Sequence, residues 1–118
     1  MSNSLTIIEE CIAVSIEYDR LKTPFAHPGE HLREDFLIPL GLSAGALAKA
    51  MNLKDRQRIE RLVRERQAVT ADTALRLGRV LGTSAEFWIN LQTQHDLSVA
   101  ALALREEVAA ITPLPAVA

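Results

Sequence analysis

Residues 43–66, SAGALAKAMNLKDRQRIERLVRER, decide the fold, because they contain two short apolar stripes separated by a polar turn. Ser43 is a typical helix N-cap. The apolar positions of one helix face follow it, at Leu47, Ala48 and Met51. Asn52 then tolerates the left-handed backbone of a turn. Two short helices joined by a turn of three or four residues, the second of them basic, are typical of a helix-turn-helix.

The second helix of this pair is predicted from about Asp55 to Glu65 and has two chemically distinct sides. Its buried stripe consists of Ile59, Leu62 and Val63. At about 100° per residue, the opposite side is polar and consists of Gln57, Arg61 and Arg64, flanked by Arg56 and Arg58. Arginine forks and amide groups suit phosphate oxygens and base edges. This side therefore favours double-stranded DNA as a partner over a merely solvated helix surface.

The charge of the chain is concentrated in the same region. The 118 residues carry 13 bases and 15 acids, a net charge of −2, which argues against a general polyanion binder. Residues 49–66 carry seven bases and three acids, a net charge of +4. Residues 1–48 are net −4 and residues 67–118 are net −2. The distribution defines one short, Arg-rich basic block, which taken alone is more often a solvated helix face than a binding surface.

Composition predicts one all-α domain. Hydrophobic residues make up 48% and charged residues 24%, which excludes a disordered chain. The 17 Leu and 17 Ala against five aromatics favour helix over strand. No apolar run is long enough to span a membrane. The single cysteine, Cys11, has no internal disulfide partner and no signal peptide is apparent, so we expect a cytoplasmic protein.

Three further helices are predicted around the central pair. The first begins at Pro28 and ends at Pro39 and Gly41, the fourth runs from its cap Thr70 to Gly82, and the fifth begins at Ser84. Trp88 is expected to anchor the core, whose other members are Leu32, Phe36, Leu47, Ile59, Leu62, Leu75, Leu81 and Phe87. Residues 5–18 fit a strand or one helix face, and the pattern alone leaves both open.

The fifth helical pattern continues into an apolar seam with the spacing 4, 3, 4, 3, formed by Leu97, Ala101, Leu104, Val108 and Ile111. This seam predicts a homodimer; the competing interpretation is that it folds back on its own core. The predicted organisation is therefore an N-terminal extension (1–26), a helix-turn-helix domain (27–97), a C-terminal helical extension with the dimer seam (98–112) and a frayed tail (113–118).

An ordered set of motifs adds a resemblance to a known family. It consists of His27-Pro28-Gly29-Glu30, Leu40-Gly41-Leu42-Ser43, Leu47-Ala48-Lys49-Ala50, residues 70–77 (TADTALRL) and residues 82–88 (GTSAEFW). From about His27 to Leu97 the chain resembles the HigA (VapI-type) antitoxins, in the XRE or Cro/repressor class of helix-turn-helix proteins. The resemblance implies a five-helix, lambda-repressor-like domain that binds a palindromic operator as a dimer, and a partner, a HigB toxin of the RelE-like mRNA-cleaving type.

The resemblance also implies which residues contact DNA. Bases would be read by Arg56, Gln57 and Arg61, and phosphates held by Arg58, Arg64 and Arg66, with Ser43 at the start of the second helix added to the set. Several departures from the family lie here. Residues 52–55 replace a Gly-Val-Pro-like turn, and Ala44 and Gly45 replace a glutamine that often holds phosphate. One extra residue between Leu53 and Ile59 could rotate the start of the reading helix and move Arg56, and Arg64-Glu65 replaces an Asn-Gly stop, which predicts a longer helix.

Other functions compete with this one. A stand-alone XRE-type regulator without a toxin, and a protein-interaction module with a decayed DNA-reading helix, remain alternatives. No catalytic site is predicted, because no base can be assigned to Cys11. No metal or other cofactor is predicted either, since His27, Glu30 and His31 lack a nearby cysteine or third histidine.

Overall fold

The computed structural model describes residues 17–115, and every regular element in that range is helical. The helices are α1 (Pro28–His31, Leu32–Leu37 and Ile38–Leu40 in direct succession), α2 (Ala44–Ala50), α3 (Gln57–Val63), α4 (Ala71–Leu81), α5 (Ala85–Ala103) and α6 (Arg105–Ala109), preceded by a 3-10 turn at Glu17–Arg20. The all-α prediction is confirmed. Most of the undecided segment 5–18 lies outside the described residues.

The chain forms two compact units. The first is Phe25–Asp96, which contains α1 to α4 and most of α5. The second is made from the chain on either side of it and is described for residues 17–24 and 97–115. The predicted helix-turn-helix lies entirely in the first unit, so the fold of that unit positions the candidate site.

The start of α1 is fixed by local contacts. His27 Nδ1 accepts a hydrogen bond of 2.9 Å from the Gly29 N–H and so caps the helix. Pro28 occupies the first turn, where its missing N–H costs nothing. A Cβ on Gly29 would lie 1.8 Å from the Leu62 carbonyl oxygen. Only glycine therefore allows α1 to lie against the end of α3.

The middle of α1 is a π-helix, Leu32–Leu37, in which the Ile38 N–H bonds to the carbonyl five residues back. In an α-helix the ring of Pro39 would clash with the carbonyl four residues earlier, and the wider turn relieves that clash. The sequence predicted that the helix ends at Pro39 and Gly41, but Pro39 lies within its last turn. Gly41, at φ +65°, ends it alone.

The core of the first unit has contributions from all five of its helices and is almost inaccessible to solvent. Its most buried apolar residues are Leu32, Leu37, Leu47, Ala48, Met51, Ile59, Leu62, Val69, Ala74, Leu77 and Trp88. Trp88 is confirmed as a core anchor, and its indole N–H donates a 2.8 Å hydrogen bond to Thr83 Oγ1. The predicted core members Phe36 and Leu81 are partly buried against this cluster.

Two of the predicted core positions are wrong. Leu75 is 65% exposed, because the buried face of α4 is formed by Thr73, Ala74, Leu77 and Gly78. Phe87 is 39% exposed and contacts the core by its edge, with its ring centroid 5.0 Å from that of Trp88. Hydrophobicity alone did not separate these two side chains from the core, because their burial depends on which face the neighbouring helices cover.

The predicted caps of α4 and α5 are confirmed. Thr70 Oγ1 accepts from the Thr73 N–H at 3.4 Å, and Ser84 Oγ accepts from the Phe87 N–H at 3.0 Å. Gly82, at φ +75°, ends α4 in the left-handed conformation. These local bonds set the short connection between the two helices.

Polar side chains of α5 hold the loops of the first unit. Gln92 Oε1 accepts a 2.7 Å hydrogen bond from the Val69 N–H. The His95 ring contacts the Phe25 carbonyl oxygen at 2.8 Å and packs edge-on against His27, with 4.9 Å between ring centroids. The backbone before α1 and the loop before α4 are therefore both attached to α5.

The helix of the second unit is interrupted, whereas its sequence suggested one continuous helix. α5 stops at Ala103, and Leu104 departs from helical geometry, with φ −108° and ψ 16°, before α6 begins at Arg105. Arg105 Nη2 donates a hydrogen bond to the Leu21 carbonyl oxygen. Residues 111–115 have no regular secondary structure and are exposed.

Candidate nucleic-acid interface

The α2–turn–α3 segment has the predicted helix-turn-helix order, with a longer turn. Ser43 Oγ accepts a 3.0 Å hydrogen bond from the Ala46 N–H and caps α2. Asn52 has φ +57°, the left-handed conformation expected of it. Six residues, 51–56, separate the two helices, whereas a turn of three or four was expected. The longer turn includes Asp55. Its Oδ1 accepts a 2.8 Å hydrogen bond from the Gln57 N–H and so organises the start of α3.

The end of α3 corrects the expectation that a missing glycine lengthens this helix. Glu65 adopts φ +63°, a left-handed conformation that usually requires glycine or asparagine. Its N–H bonds to the Leu62 carbonyl at 2.9 Å, and the Arg66 N–H bonds to the Arg61 carbonyl at 2.9 Å. These two bonds are those of a Schellman stop, so α3 ends at Val63 without glycine.

Arg33 of α1 explains how this stop is stabilised. Its Nη1 donates to the Val63 carbonyl oxygen at the end of α3, and its Nη2 lies 3.3 Å from the Glu65 carboxylate. The guanidinium thus satisfies a free helix carbonyl and holds the residue with strained backbone. It also neutralises part of the negative end of the helix dipole. No local sequence pattern indicates this contact, which joins residues about thirty positions apart.

The outward side of α3 is polar and accessible, as predicted. Gln57, Arg61 and Arg64 are all exposed. Arg61 Nη2 donates a 2.8 Å hydrogen bond to Gln57 Oε1 one turn earlier, so the two side chains form one polar pair. Arg56 is the N-cap residue, its side chain is 74% exposed, and its Nε lies 3.3 Å from the Glu60 carboxylate.

Arg58 differs from the other arginines because it is held by an ion pair to another helix. It pairs with Asp72 in the first turn of α4. Asp72 also lies 3.2 Å from Arg76 Nε, and Arg76 Nη1 donates to the Met51 carbonyl at 2.7 Å. Arg58, followed by Arg76, lowers the pKa of the Asp72 carboxyl below its usual value. The network joins α3, α4 and the end of α2.

Arg64 and Arg66 lie at the end of α3 and are both exposed. Among residues 17–115, neither forms an ion pair with a carboxylate. A cation without a carboxylate neighbour binds a phosphate without first breaking an internal pair. Of the three predicted phosphate contacts, Arg64 and Arg66 have no carboxylate partner among the described residues, whereas Arg58 is paired with Asp72.

The candidate metal ligands have structural contacts instead. His27 uses Nδ1 to cap α1, and burial, followed by the nearby His95, lowers the pKa of its imidazole. His31 Nδ1 lies 3.1 Å from Asp35 one turn later. Residues 17–115 contain no cluster of His, Cys, Asp and Glu suited to a metal ion. Cys11 lies outside the described residues.

The predicted dimer seam lies in the second unit. Leu97, Ala101, Leu104 and Val108 line one groove on α5 and α6, together with Tyr18 and Asp19. Four large apolar side chains of the seam are 45–68% exposed: Leu97, Leu104, Val108 and Ile111.

In the described part of the chain no helix is long and apolar enough to cross a membrane.

The first unit is thus a five-helix domain of the helix-turn-helix class, with a basic, solvent-facing α3. No model of a protein family matches the chain. It is 51% identical over 87 residues to virulence-associated protein I of Dichelobacter nodosus, covering 74% of this chain and 80% of that one. It is 36% identical over 86 residues to antitoxin HigA-1 of Vibrio cholerae, covering 73% and 80%.

A solved structure agrees with these relatives. The Pseudomonas aeruginosa antitoxin HigA, solved with the higBA promoter, superposes with a TM-score of 0.73 at 40% identity, covering 77% of this chain and 99% of that one. The chain belongs to the HigA (VapI-type) family of antitoxins. The resemblance seen in the five sequence motifs is therefore confirmed.

Proposed function

We propose that this protein is the antitoxin of a HigBA-like pair, which represses its own operon by binding operator DNA through α3 and neutralises a HigB-like toxin. The observation that carries the DNA-binding part is the exposed Gln57–Arg61 pair on the outward side of α3. The likeness to a HigA protein solved with promoter DNA supports it.

The exposed polar pair supplies sequence readout. A recognition helix in the major groove presents its outward side chains to base edges. The Arg61 guanidinium can donate two hydrogen bonds to guanine, and the Gln57 amide can both donate to and accept from adenine. Their mutual 2.8 Å hydrogen bond holds both side chains in one orientation before DNA arrives. Arg56 at the helix start is the third proposed base contact.

The basic residues around this pair supply affinity that is independent of sequence. Arg64 and Arg66 are assigned to phosphates. Arg58 is the third proposed phosphate contact and exchanges its Asp72 partner for a phosphate on binding, and Ser43 lies at the start of α2. Each neutralised phosphate releases counterions, so binding weakens as salt rises. A palindromic operator is matched by a homodimer, so each of these contacts occurs twice.

An operator titration tests this assignment. Arg61→Ala should cost about 1–3 kcal/mol of binding free energy per site and relax the preference at one base pair. Arg66→Ala should weaken specific and non-specific binding alike, and reduce the slope of log K against log salt by about one per protomer. Arg79→Ala is the matched control, since it removes an exposed positive charge from the last turn of α4.

The titration has a clear contrary outcome. Full affinity and unchanged base preference in Arg61→Ala would reject Arg61 as a base contact. That result would favour a protein-interaction module whose DNA-reading side has decayed. An operator complex in the absence of any neighbouring toxin gene would favour a stand-alone regulator.

The toxin is proposed to be a basic protein of the RelE-like mRNA-cleaving type, as the family resemblance implies. Its contact is assigned outside α3, on the segment up to Pro24 or on residues 98–112. Residues 1–48 have a net charge of −4, which suits a basic partner. Deleting residues 1–22 should weaken capture of the toxin in a pull-down of the operon product and leave operator affinity unchanged. Equal toxin neutralisation by the truncated chain would exclude the N-terminal segment.

A further inference from the structure

The end of α3 is held by one residue of another helix. Glu65 adopts φ +63°, which a residue with a Cβ rarely adopts unless its surroundings impose it. Arg33 of α1 makes two contacts there: Nη1 donates to the Val63 carbonyl oxygen, and Nη2 lies 3.3 Å from the Glu65 carboxylate. If α3 continued, the Val63 carbonyl would accept from the N–H four residues later. The guanidinium therefore occupies the acceptor that a longer helix needs and binds the residue at which the chain turns.

The position of this stop decides where Arg66 lies. At about 100° per residue, three more residues of α3 would place Arg66 about 20° from Ile59 and about 40° from Leu62. Ile59 and Leu62 are both buried and belong to the apolar stripe of the helix. A longer helix would therefore direct Arg66 toward the core. In the structure the chain turns at Glu65 instead, and Arg66 is exposed.

The other proposed DNA contacts do not depend on the stop in this way. Gln57 and Arg61 lie within α3, ahead of its last residue, Val63. Arg64 follows Val63 directly and lies about 60° from Arg61 around the helix axis, whether the helix stops or continues. Among the proposed contacts, the stop therefore changes the direction of Arg66 alone.

We propose that Arg33 is a positioning residue for DNA binding, because its contacts at the end of α3 keep Arg66 exposed and available to a phosphate. The inference rests on the proposed function, in which Arg66 neutralises a phosphate, and adds a residue of α1 to it. Arg66 has no carboxylate partner among residues 17–115. The Arg33 guanidinium, by contrast, is paired with Glu34 and Glu65 and acts within the protein.

Salt titrations of the full chain test the proposal, on a duplex of the DNA upstream of its own gene and on one of unrelated sequence. Arg33→Ala should reduce the slope of log K against log salt by about one per protomer, as the loss of one phosphate contact does. Arg66→Ala should give the same reduction, and adding it to Arg33→Ala should reduce the slope no further. The base preference assigned to Arg61 should not change in Arg33→Ala. Arg79→Ala, which removes an exposed charge from α4, is the matched control.

Substitutions of Glu65 separate positioning from a direct contact of Arg33 with DNA. Glycine adopts the left-handed conformation without steric cost, so Glu65→Gly makes the stop independent of Arg33. In the Glu65→Gly background, Arg33→Ala should therefore leave the slope unchanged. Glu65→Ala removes the same carboxylate but disfavours the turn, so its slope should be lower than that of Glu65→Gly by about one per protomer. This second comparison does not require Arg33→Ala to fold. Urea unfolding curves establish that each variant is folded.

Two results would overturn the proposal. An equal reduction of the slope by Arg33→Ala with and without Glu65→Gly would make Arg33 itself a phosphate contact, and a parental slope in Arg33→Ala would show that the stop does not need it. NMR chemical shifts of residue 65 give a readout without DNA. They should leave the left-handed region in Arg33→Ala and stay in it when Glu65→Gly is added; a left-handed residue 65 in Arg33→Ala rejects the positioning role. A parent chain that binds neither duplex, with these shifts as expected, rejects operator binding instead.

Discussion

The two units of this protein use helices rich in leucine and alanine in opposite ways. In Phe25–Asp96, eleven apolar residues are nearly inaccessible, and polar side chains of one element satisfy the backbone of another, as with Arg33 on Val63 and Gln92 on Val69. In the second unit, the large apolar residues of the groove remain about half exposed. The first unit therefore completes its own core, whereas the second presents apolar surface for something else to cover.

Gly29→Ala should have the largest effect, because it disrupts the close packing that distinguishes the first unit. The added Cβ would lie 1.8 Å from the Leu62 carbonyl oxygen, so α1 must move away from α3. We expect a loss of about 3 kcal/mol in the free energy of unfolding, measured by urea denaturation. Operator affinity should fall as well, because the end of α3 is disturbed.

Gly45→Ala is the matched control for that substitution. A Cβ at Gly45 meets only the flexible Arg56 side chain, at 3.6 Å. Within α2 the alanine should leave stability unchanged or raise it by up to about 1 kcal/mol. A similar loss in both variants would show that close packing of α1 on α3 does not distinguish this unit.

Asp72→Asn should have a smaller effect, on DNA binding rather than on the core. It removes the carboxylate that pairs with Arg58 and Arg76, which frees Arg58 for phosphate. We expect tighter operator binding and a salt slope steeper by about one per protomer. Glu86→Gln, an exposed acid in the first turn of α5, should change little. A weaker complex in Asp72→Asn would contradict this and show that the pair positions Arg58 for DNA.

His27→Asn should give the smallest effect, a change in the pH dependence of stability. Burial and His95 lower the pKa of His27 in the folded state, so the unfolded chain binds its proton more readily. The stability that His27 contributes is fully present above its pKa in the unfolded chain, about 6.5. It is lost as pH falls from there toward the lower pKa of the folded protein. Asparagine keeps an N-cap acceptor and does not titrate, so urea midpoints should depend less on pH in this range.

The matched control for that experiment is His31→Gln. His31 is about one-third exposed and does not cap a helix, so its replacement should leave the acid sensitivity of the first unit in place. If urea midpoints depend on pH equally in the parent chain and in His27→Asn, the cap histidine does not contribute to the pH-dependent stability of the first unit.

Local chemistry explains which parts of the fold the sequence could predict. Ser43, Thr70 and Ser84 cap helices through bonds to residues three positions away, so a short window contains both partners. Asn52 and Gly82 both adopt the left-handed backbone conformation, which is a preference of the single residue type. The outward side of α3 followed from helical periodicity alone.

The missed features depend on residues far apart in the chain. The stop of α3 needs Arg33, because Glu65 would not favour a left-handed conformation by itself. The pair between Arg58 and Asp72 joins two helices, and the exposure of Leu75 depends on what covers α4. The α3 contacts proposed for DNA, and the dimer seam, stay predictions.

The His27-Pro28-Gly29 motif has a consequence for engineering this fold. Each of its residues is explained by a contact within the first unit: a cap, a first-turn proline and a glycine against the Leu62 carbonyl. The exposed side chains of Gln57 and Arg61 take no part in these contacts. The outward side of α3 can therefore be redesigned at these two positions while the motif is kept to preserve the packing of α1 on α3.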